Sequence, residues 1–142
     1  NYRAISLLSV FSKILEKTVK SRMLKFLNKN KFFSESQFGF REGLSTEDAL
    51  LQFSALFIDI TKAFDTDHSL LLDILYKCGF RGSLHTWFSS YLHNREQRVK
   101  LNNSISNFIS VDIGVPQGSV LGPILFLIYI NSIFSLKSTV QK

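Results

Sequence analysis

The stretch Ser54–His68, SALFIDITKAFDTDH, places an acidic residue inside an apolar run. The run Ala55–Ile58 is short and apolar enough for a buried strand, and Asp59 interrupts it before Ile60 resumes it. A carboxylate among core side chains loses its hydration, which destabilises the fold unless a partner pairs with it. Mg²⁺ is one suitable partner, because aspartate offers the hard oxygen ligands that this ion prefers. A turn cap, or an ion pair with Lys62, is an equally open interpretation.

The composition is that of one globular domain with a basic surface. The chain has 142 residues, of which 45% are hydrophobic and 20% are charged. The 17 lysines and arginines exceed the 11 acidic residues, for a net charge of +6, which favours an anionic partner such as nucleic acid. Cys78 is the only cysteine, so no intrachain disulfide forms, and a reducing, intracellular compartment is expected. The most apolar stretch, Val120–Ile130, is too short for a membrane span.

The first strongly periodic segment predicts a basic helix from about Ser9 to Asn28. Its apolar residues recur at spacings of three and four: Phe11, Ile14, Leu15, Val19, Met23, Phe26 and Leu27. The helix and the polar cluster after it carry seven of the 17 basic residues, among them Lys13, Lys17 and Lys20, and only Glu16 offsets them. Such a concentration fits a phosphate-facing surface, whereas a solvated polar face over a core stripe explains it equally well.

A second segment places Arg41 between Gly39 and Gly43, next to the strand-like residues Phe38 and Phe40. An arginine held ahead of a helix N-terminus can bind a phosphate through two parallel hydrogen bonds. A hairpin with a surface arginine is the simpler interpretation of this segment by itself.

Further helices are predicted from caps and apolar density. Ser45 and Asp48 are typical of a capped helix start. A helix is expected over Leu70–Lys77 and is ended by Gly79, and another is expected over Ser83–His93.

The segment after these helices predicts a β-hairpin followed by a glycine-containing loop. Strands are expected over Gln97–Leu101 and Ile105–Ile113, joined by a turn at Asn102–Asn103. Three cations lie on or near the first strand and form a second candidate surface for a phosphate backbone: Arg95, Arg98 and Lys100. The loop 114–121, GVPQGSVL, precedes an apolar helix, and its backbone can approach a ligand closely.

Four of these stretches, in their order along the chain, resemble the reverse transcriptases of non-LTR retrotransposons. They are NYRAISLLSVFSKILEKTVKSRM, QFGFREGLST, FIDITKAFDTDH and GVPQGSVLGPILFLIYIN. The resemblance implies an α+β, right-hand polymerase fold that is incomplete here, with residues 1–53 resembling the fingers and 54–142 part of a palm with an antiparallel sheet. It also implies synthesis of DNA from dNTPs on an RNA template and a DNA primer, with Mg²⁺, in the nucleus or cytoplasm.

The resemblance also implies roles for single residues. Asp59 falls at the catalytic, metal-bridging aspartate, and the carbonyl of Ile60 is a further metal ligand. Phe64 falls at the position that rejects a 2′-hydroxyl, Arg41 at a triphosphate contact, and Gln117-Gly118 at the loop lining the nucleotide pocket. Asp65 and His68 match the family pattern as well, and we interpret them as structural supports of the turn.

Departures from the family pattern shape the functional expectation. An aspartate pair, expected shortly after the apolar helix, does not occur before Lys142, and the usual FDTVDH is shortened to FDTDH. A longer helix and loop are also expected where Phe53 runs directly into Ser54. A polymerase fragment that is inactive alone is therefore expected. A nucleic-acid-binding remnant without catalysis, or a piece that does not fold stably alone, are the alternatives.

Overall fold

In the computed structural model of the chain, residues 6–51 and 64–131 are described. They contain five helices and four short strands. The helices are α1 (Val10–Lys29), α2 (Thr46–Leu51), α3 (His68–Lys77), α4 (Ser83–Leu92) and α5 (Gly122–Ile130). The strands are β1 (Arg95–Gln97), β2 (Lys100–Leu101), β3 (Ser104–Ile105) and β4 (Ile109–Val111).

The chain divides into two compact units, and the second lies in sequence between the two parts of the first. Unit 1 comprises residues 1–63 and 116–142, and unit 2 comprises residues 64–115. The predicted boundary at residues 53 and 54 falls outside the described residues and stays a prediction. None of the helices in the described ranges is both long and apolar enough to cross a bilayer.

Unit 1 is built on α1 and α5. The predicted start of α1 near Ser9 is confirmed, because the side chain of Ser9 caps the helix by accepting a hydrogen bond from the Ser12 amide at 3.1 Å. The predicted core stripe is only partly correct, since Met23 and Leu27 are buried but Phe11 is 86% exposed. The rest of the buried apolar set comes mainly from the region of α5: Phe33, Leu121, Ile124, Leu125, Leu127 and Ile128.

The segment between α1 and α2 is irregular. The prediction that Phe38 and Phe40 belong to a strand is wrong, because this segment forms turns and Phe40 has a φ of +59°. The predicted start of α2 is confirmed by two hydrogen bonds. The Asp48 carboxylate accepts from the Ser45 amide at 2.7 Å, and the Asp48 amide donates to the Ser45 hydroxyl at 3.2 Å.

Unit 2 pairs α3 with α4. The first of these helices begins at His68, two residues before the predicted start, because the Asp67 carboxylate caps it by accepting from the Leu70 amide at 2.7 Å. It ends as predicted at Lys77 and is followed by Gly79, whose φ of +101° suits a residue without a Cβ. The buried apolar side chains of the pair are Leu71, Leu72, Leu75, Phe88 and Leu92, with Phe80 between the helices in sequence.

The predicted hairpin forms, with shorter strands than expected. Strand β1 pairs antiparallel with β4, and β2 pairs antiparallel with β3 across a turn in which Asn102 has a φ of +52°. Between the two ladders the Ser106 amide donates to the Val99 carbonyl at 2.9 Å, and the Ser106 hydroxyl accepts from the Val99 amide at 2.8 Å. Helices with small antiparallel sheets agree with an α+β class.

Candidate nucleotide and nucleic-acid site

Residues 116–121, which we call the glutamine-glycine loop, contain a tight turn in unit 1. The Ser119 amide donates to the Pro116 carbonyl at 3.0 Å, and Gly118 has a φ of +92°. A positive φ at the third residue of a turn is the reason that glycine is required there. Gln117, at the second position, is exposed, and its carbonyl accepts from the Ser6 amide at 2.9 Å. The loop thus presents the Gln117 side chain from a backbone that is fixed on both sides.

Glu16 supports the end of this loop. Its carboxylate is 1% exposed and accepts from the Val120 amide at 2.7 Å, the Leu121 amide at 3.2 Å and the Ser12 hydroxyl at 3.1 Å. The two amides lie directly before α5, where the helix dipole favours an anion. The N-terminus of α5 is therefore occupied by a carboxylate of the chain itself.

From the charge pattern alone, Glu16 is no more than an offset to the basic residues of α1. A signal was available, because Glu16 lies seven residues before Met23 and eleven before Leu27, which are the buried positions of the helix. An acid at that spacing falls on the buried face of a helix.

Arg41 is half-buried and is held by its own segment. Its Nη1 donates to the Ser34 carbonyl at 3.0 Å and to the Gln37 carbonyl at 3.2 Å, and the guanidinium lies 5.6 Å from the centre of the Phe33 ring. The segment is in turn joined to the end of α5, because the side-chain Nδ2 of Asn131 donates to the Phe32 carbonyl at 3.0 Å. The opposite, Nε–Nη2 edge of a guanidinium is the edge that can bind phosphate through two parallel hydrogen bonds.

Phe64 and Gly114 meet in unit 2. Gly114 donates its amide to the Thr66 carbonyl at 2.8 Å, and the Val115 amide donates to the Phe64 carbonyl at 3.1 Å. The buried His68 ring lies with its Nε2 2.7 Å from the Gly114 carbonyl oxygen. His68 therefore occupies a structural position at the turn, as expected from the sequence.

The predicted phosphate-binding cations differ in exposure. On α1, Lys13 and Lys17 are exposed and Lys20 is half-buried. On the hairpin, Lys100 and Arg98 are exposed, with the Arg98 guanidinium 4.8 Å from the centre of the Phe108 ring. Arg95 is half-buried, donates to the Tyr91 carbonyl at 3.5 Å and lies over the Tyr91 ring. Among the described residues, the single ion pair joins Asp73 to Lys77.

The predicted metal ligands, Asp59 and Ile60, lie outside the described residues. Within residues 6–51 and 64–131, no group of three or more histidine, cysteine, aspartate or glutamate side chains is placed to hold a metal ion. The predicted magnesium site therefore stays a prediction.

Comparison with known proteins identifies the family. Residues 1–140 match the family model described as reverse transcriptase (RNA-dependent DNA polymerase). The chain is 34% identical, over 143 residues, to a probable RNA-directed DNA polymerase from transposon X-element of Drosophila melanogaster. It is also 34% identical, over 144 residues, to a probable RNA-directed DNA polymerase from transposon BS of the same organism.

Both matches cover 91% of this chain and 16% of the relative, so the chain spans only a small part of these proteins. A putative COX1/OXI3 intron 2 protein of Saccharomyces cerevisiae is 29% identical over 145 residues, with 93% of this chain and 16% of that protein covered. No solved structure matches the chain significantly. The chain belongs to the reverse transcriptase family, and its resemblance to the polymerases of non-LTR retrotransposons is confirmed.

Proposed function

We propose that residues 1–142 form part of an RNA-directed DNA polymerase domain of a retroelement, acting on an RNA template, a DNA primer and dNTPs. The observation that carries this proposal is the family match over residues 1–140, which contains all four motifs in their order. Asp59 and the carbonyl of Ile60 would hold Mg²⁺. The ions would activate the 3′-oxygen of the primer and stabilise the leaving pyrophosphate.

The roles of the nucleotide-contacting residues are part of the proposal. Gln117-Gly118 would line the nucleotide pocket, and Phe64 would exclude a 2′-hydroxyl. The exposed Gln117 side chain, on a turn with a fixed backbone, supports the first of these roles. Because Glu16 already occupies the N-terminus of α5, a triphosphate would be held by cations such as Arg41 rather than at that helix end.

The 142-residue polypeptide by itself is proposed not to extend a primer. Asp59 is the one carboxylate that it contributes to the matched metal-binding motifs, and two metal ions need further ligands. Incubation of this polypeptide with an RNA template, a DNA primer, dNTPs and Mg²⁺ should give no extension. Primer extension by the unaltered polypeptide that Asp59→Asn abolishes would contradict the proposal that the polypeptide is inactive by itself.

A chimera tests the polymerase assignment itself. In it, residues 1–142 replace the matching region of the X-element polymerase, and primer extension is measured on an RNA template. The chimera should extend the primer, and the substitution Asp59→Asn should abolish this activity. The control Asp73→Asn should retain it, because Asp73 is an exposed residue that is paired with Lys77. An inactive chimera beside an active X-element polymerase would show that these residues do not support polymerisation.

A second candidate function is nucleic-acid binding without catalysis, favoured by the exposed cations of α1. Binding to an RNA–DNA duplex should weaken steeply with salt, since each neutralised phosphate releases counterions. The double variant Lys13→Gln/Lys17→Gln should reduce the salt slope by about 2 if each lysine contacts one phosphate. Lys77→Gln is the matched control, because Lys77 is exposed but paired with Asp73. Salt-independent binding would contradict this function.

A further inference from the structure

The glutamine-glycine loop is fixed at both ends by residues in and before α1. At its start, the Gln117 carbonyl accepts from the Ser6 amide at 2.9 Å. At its end, one oxygen of the Glu16 carboxylate accepts from both the Val120 and Leu121 amides. All of these residues belong to unit 1, and the contacts to Glu16 span more than one hundred positions in the sequence. The position of the loop therefore depends on a residue that is distant in sequence.

We propose that Glu16 is the positioning residue of the glutamine-glycine loop. This inference rests on the proposed nucleotide-binding role of Gln117-Gly118. Glu16 touches neither nucleotide nor nucleic acid, and it acts by holding the backbone on which Gln117 is presented. Its substitution is expected to change nucleotide affinity more than it changes the affinity for a primer–template.

The charge and the geometry of Glu16 both matter. One oxygen, Oε2, accepts two amides, and the other, Oε1, accepts the Ser12 hydroxyl. Among the described residues Glu16 forms no ion pair, so its negative charge is stabilised by amides at the start of α5. A glutamine has the same size but no charge and only one acceptor oxygen. With that oxygen on the Val120 and Leu121 amides, its amino group can only donate to the Ser12 hydroxyl, and the bonds at the start of α5 lose the charge that strengthens them.

The first arm of the test measures amide hydrogen exchange by NMR in the full chain and in Glu16→Gln. Hydrogen bonds to charged groups are among the stronger ones in proteins, so exchange at Val120 and Leu121 should accelerate by about tenfold or more. Exchange at Met23, in the buried part of α1, should change less than about twofold if the unit stays folded. Glu35→Gln removes an exposed acid of the same unit and should leave all three amides unchanged.

The second arm separates positioning from folding. Dissociation constants are measured for a poly(rA)·oligo(dT) primer–template and, on that primer–template, for dTTP with Mg²⁺. In Glu16→Gln the constant for dTTP should rise by about tenfold, which equals about 1.4 kcal/mol, while the constant for the primer–template changes less than about twofold. Glu35→Gln should change neither constant.

Each remaining outcome is decisive. If both constants rise together as the melting temperature falls, Glu16 only stabilises the fold and the inference is overturned. If the constant for dTTP does not change, it is overturned as well, whether or not the exchange rates change. If the unaltered chain binds the primer–template but not dTTP, the proposed nucleotide role fails, and the exchange arm alone decides whether Glu16 positions the loop. Absence of protection at Val120 and Leu121 in the unaltered chain would overturn the contact itself.

Discussion

The Nε2 atom of His68 lies 2.7 Å from the carbonyl oxygen of Gly114, and both residues are buried. Because a carbonyl oxygen can only accept, this contact places the ring proton on Nε2. The backbone adds two hydrogen bonds between the same two segments, from the Gly114 amide to the Thr66 carbonyl and from the Val115 amide to the Phe64 carbonyl. Three hydrogen bonds thus join residues 64–68 to Gly114 and Val115, which lead into the glutamine-glycine loop.

Replacing His68 by leucine should destabilise unit 2. The substitution leaves the buried Gly114 carbonyl without its donor, which costs about 1–3 kcal/mol. His68→Gln keeps an N–H group and should recover part of the loss. Urea unfolding measures these changes, and Ser90→Ala, at an exposed position of α4, is the control. Equal stability of the leucine variant and the unaltered chain would contradict the prediction.

Gly114→Ala should destabilise the chain by more than Gly43→Ala does. Both glycines have a positive φ, +82° and +79°, which costs a residue with a Cβ about 1–2 kcal/mol. Only at Gly114 would the added Cβ also meet backbone atoms, with the Phe64 carbonyl oxygen at 2.9 Å. The difference between the two melting temperatures isolates this contact. If both variants lose the same stability, the close approach is not present in solution.

The start of α2 should respond to acid through Asp48. Hydrogen bonds from the Ser45 amide and then from the Ser45 hydroxyl lower the pKa of Asp48 below its ordinary value. A lowered pKa in the folded state means that the stabilisation is complete above the ordinary value and is lost as the pH falls through the lowered one. An NMR titration of the Asp48 carboxyl carbon should show the shift, and Ser45→Ala should reduce it. A pKa at or above the ordinary value in the unaltered chain would contradict the contact.

Cys78 should react slowly with thiol reagents. Burial raises the pKa of its thiol, and the thiolate is the reactive form. Iodoacetamide at neutral pH should therefore modify the folded chain more slowly than the chain unfolded in urea. The substitution Phe80→Ala, which removes a buried side chain two positions along the chain, should increase the rate of modification in the folded chain. Equal rates in the folded and unfolded chain would show that Cys78 is fully accessible.

Local patterns predicted the elements of this fold well where the chain carries its own start and stop residues. Ser9, Ser45 and Gly79 mark helix ends by contacts within a few residues, so each could be identified from the sequence. The two predicted strands of the hairpin form, but each is interrupted between the two ladders. There the Ser106 hydroxyl accepts a hydrogen bond from the Val99 amide, and the alternation of side chains in the sequence does not reveal this contact.

Contacts between distant segments were not predictable in the same way. The strand-like appearance of Phe38 and Phe40 came from their residue type, whereas Arg41 organises that segment by binding the carbonyls of Ser34 and Gln37. Glu16 was counted only as a charge, although its partners lie more than one hundred residues later. The family motifs locate Gln117 and Phe64 in sequence, but the hydrogen bonds that hold their backbones are visible only in the folded structure.

The 104-residue separation of Glu16 and Val120 also sets an order of folding during synthesis. Ribosomes add about 5–20 residues per second, so α1 leaves the ribosome roughly 5–20 seconds before the amides that its buried carboxylate needs. Until then Glu16 is better hydrated than buried, and closing so long a loop is slow. Unit 2 is continuous in sequence, from residue 64 to residue 115. It is therefore free to fold first, and unit 1 is completed only when α5 has been made.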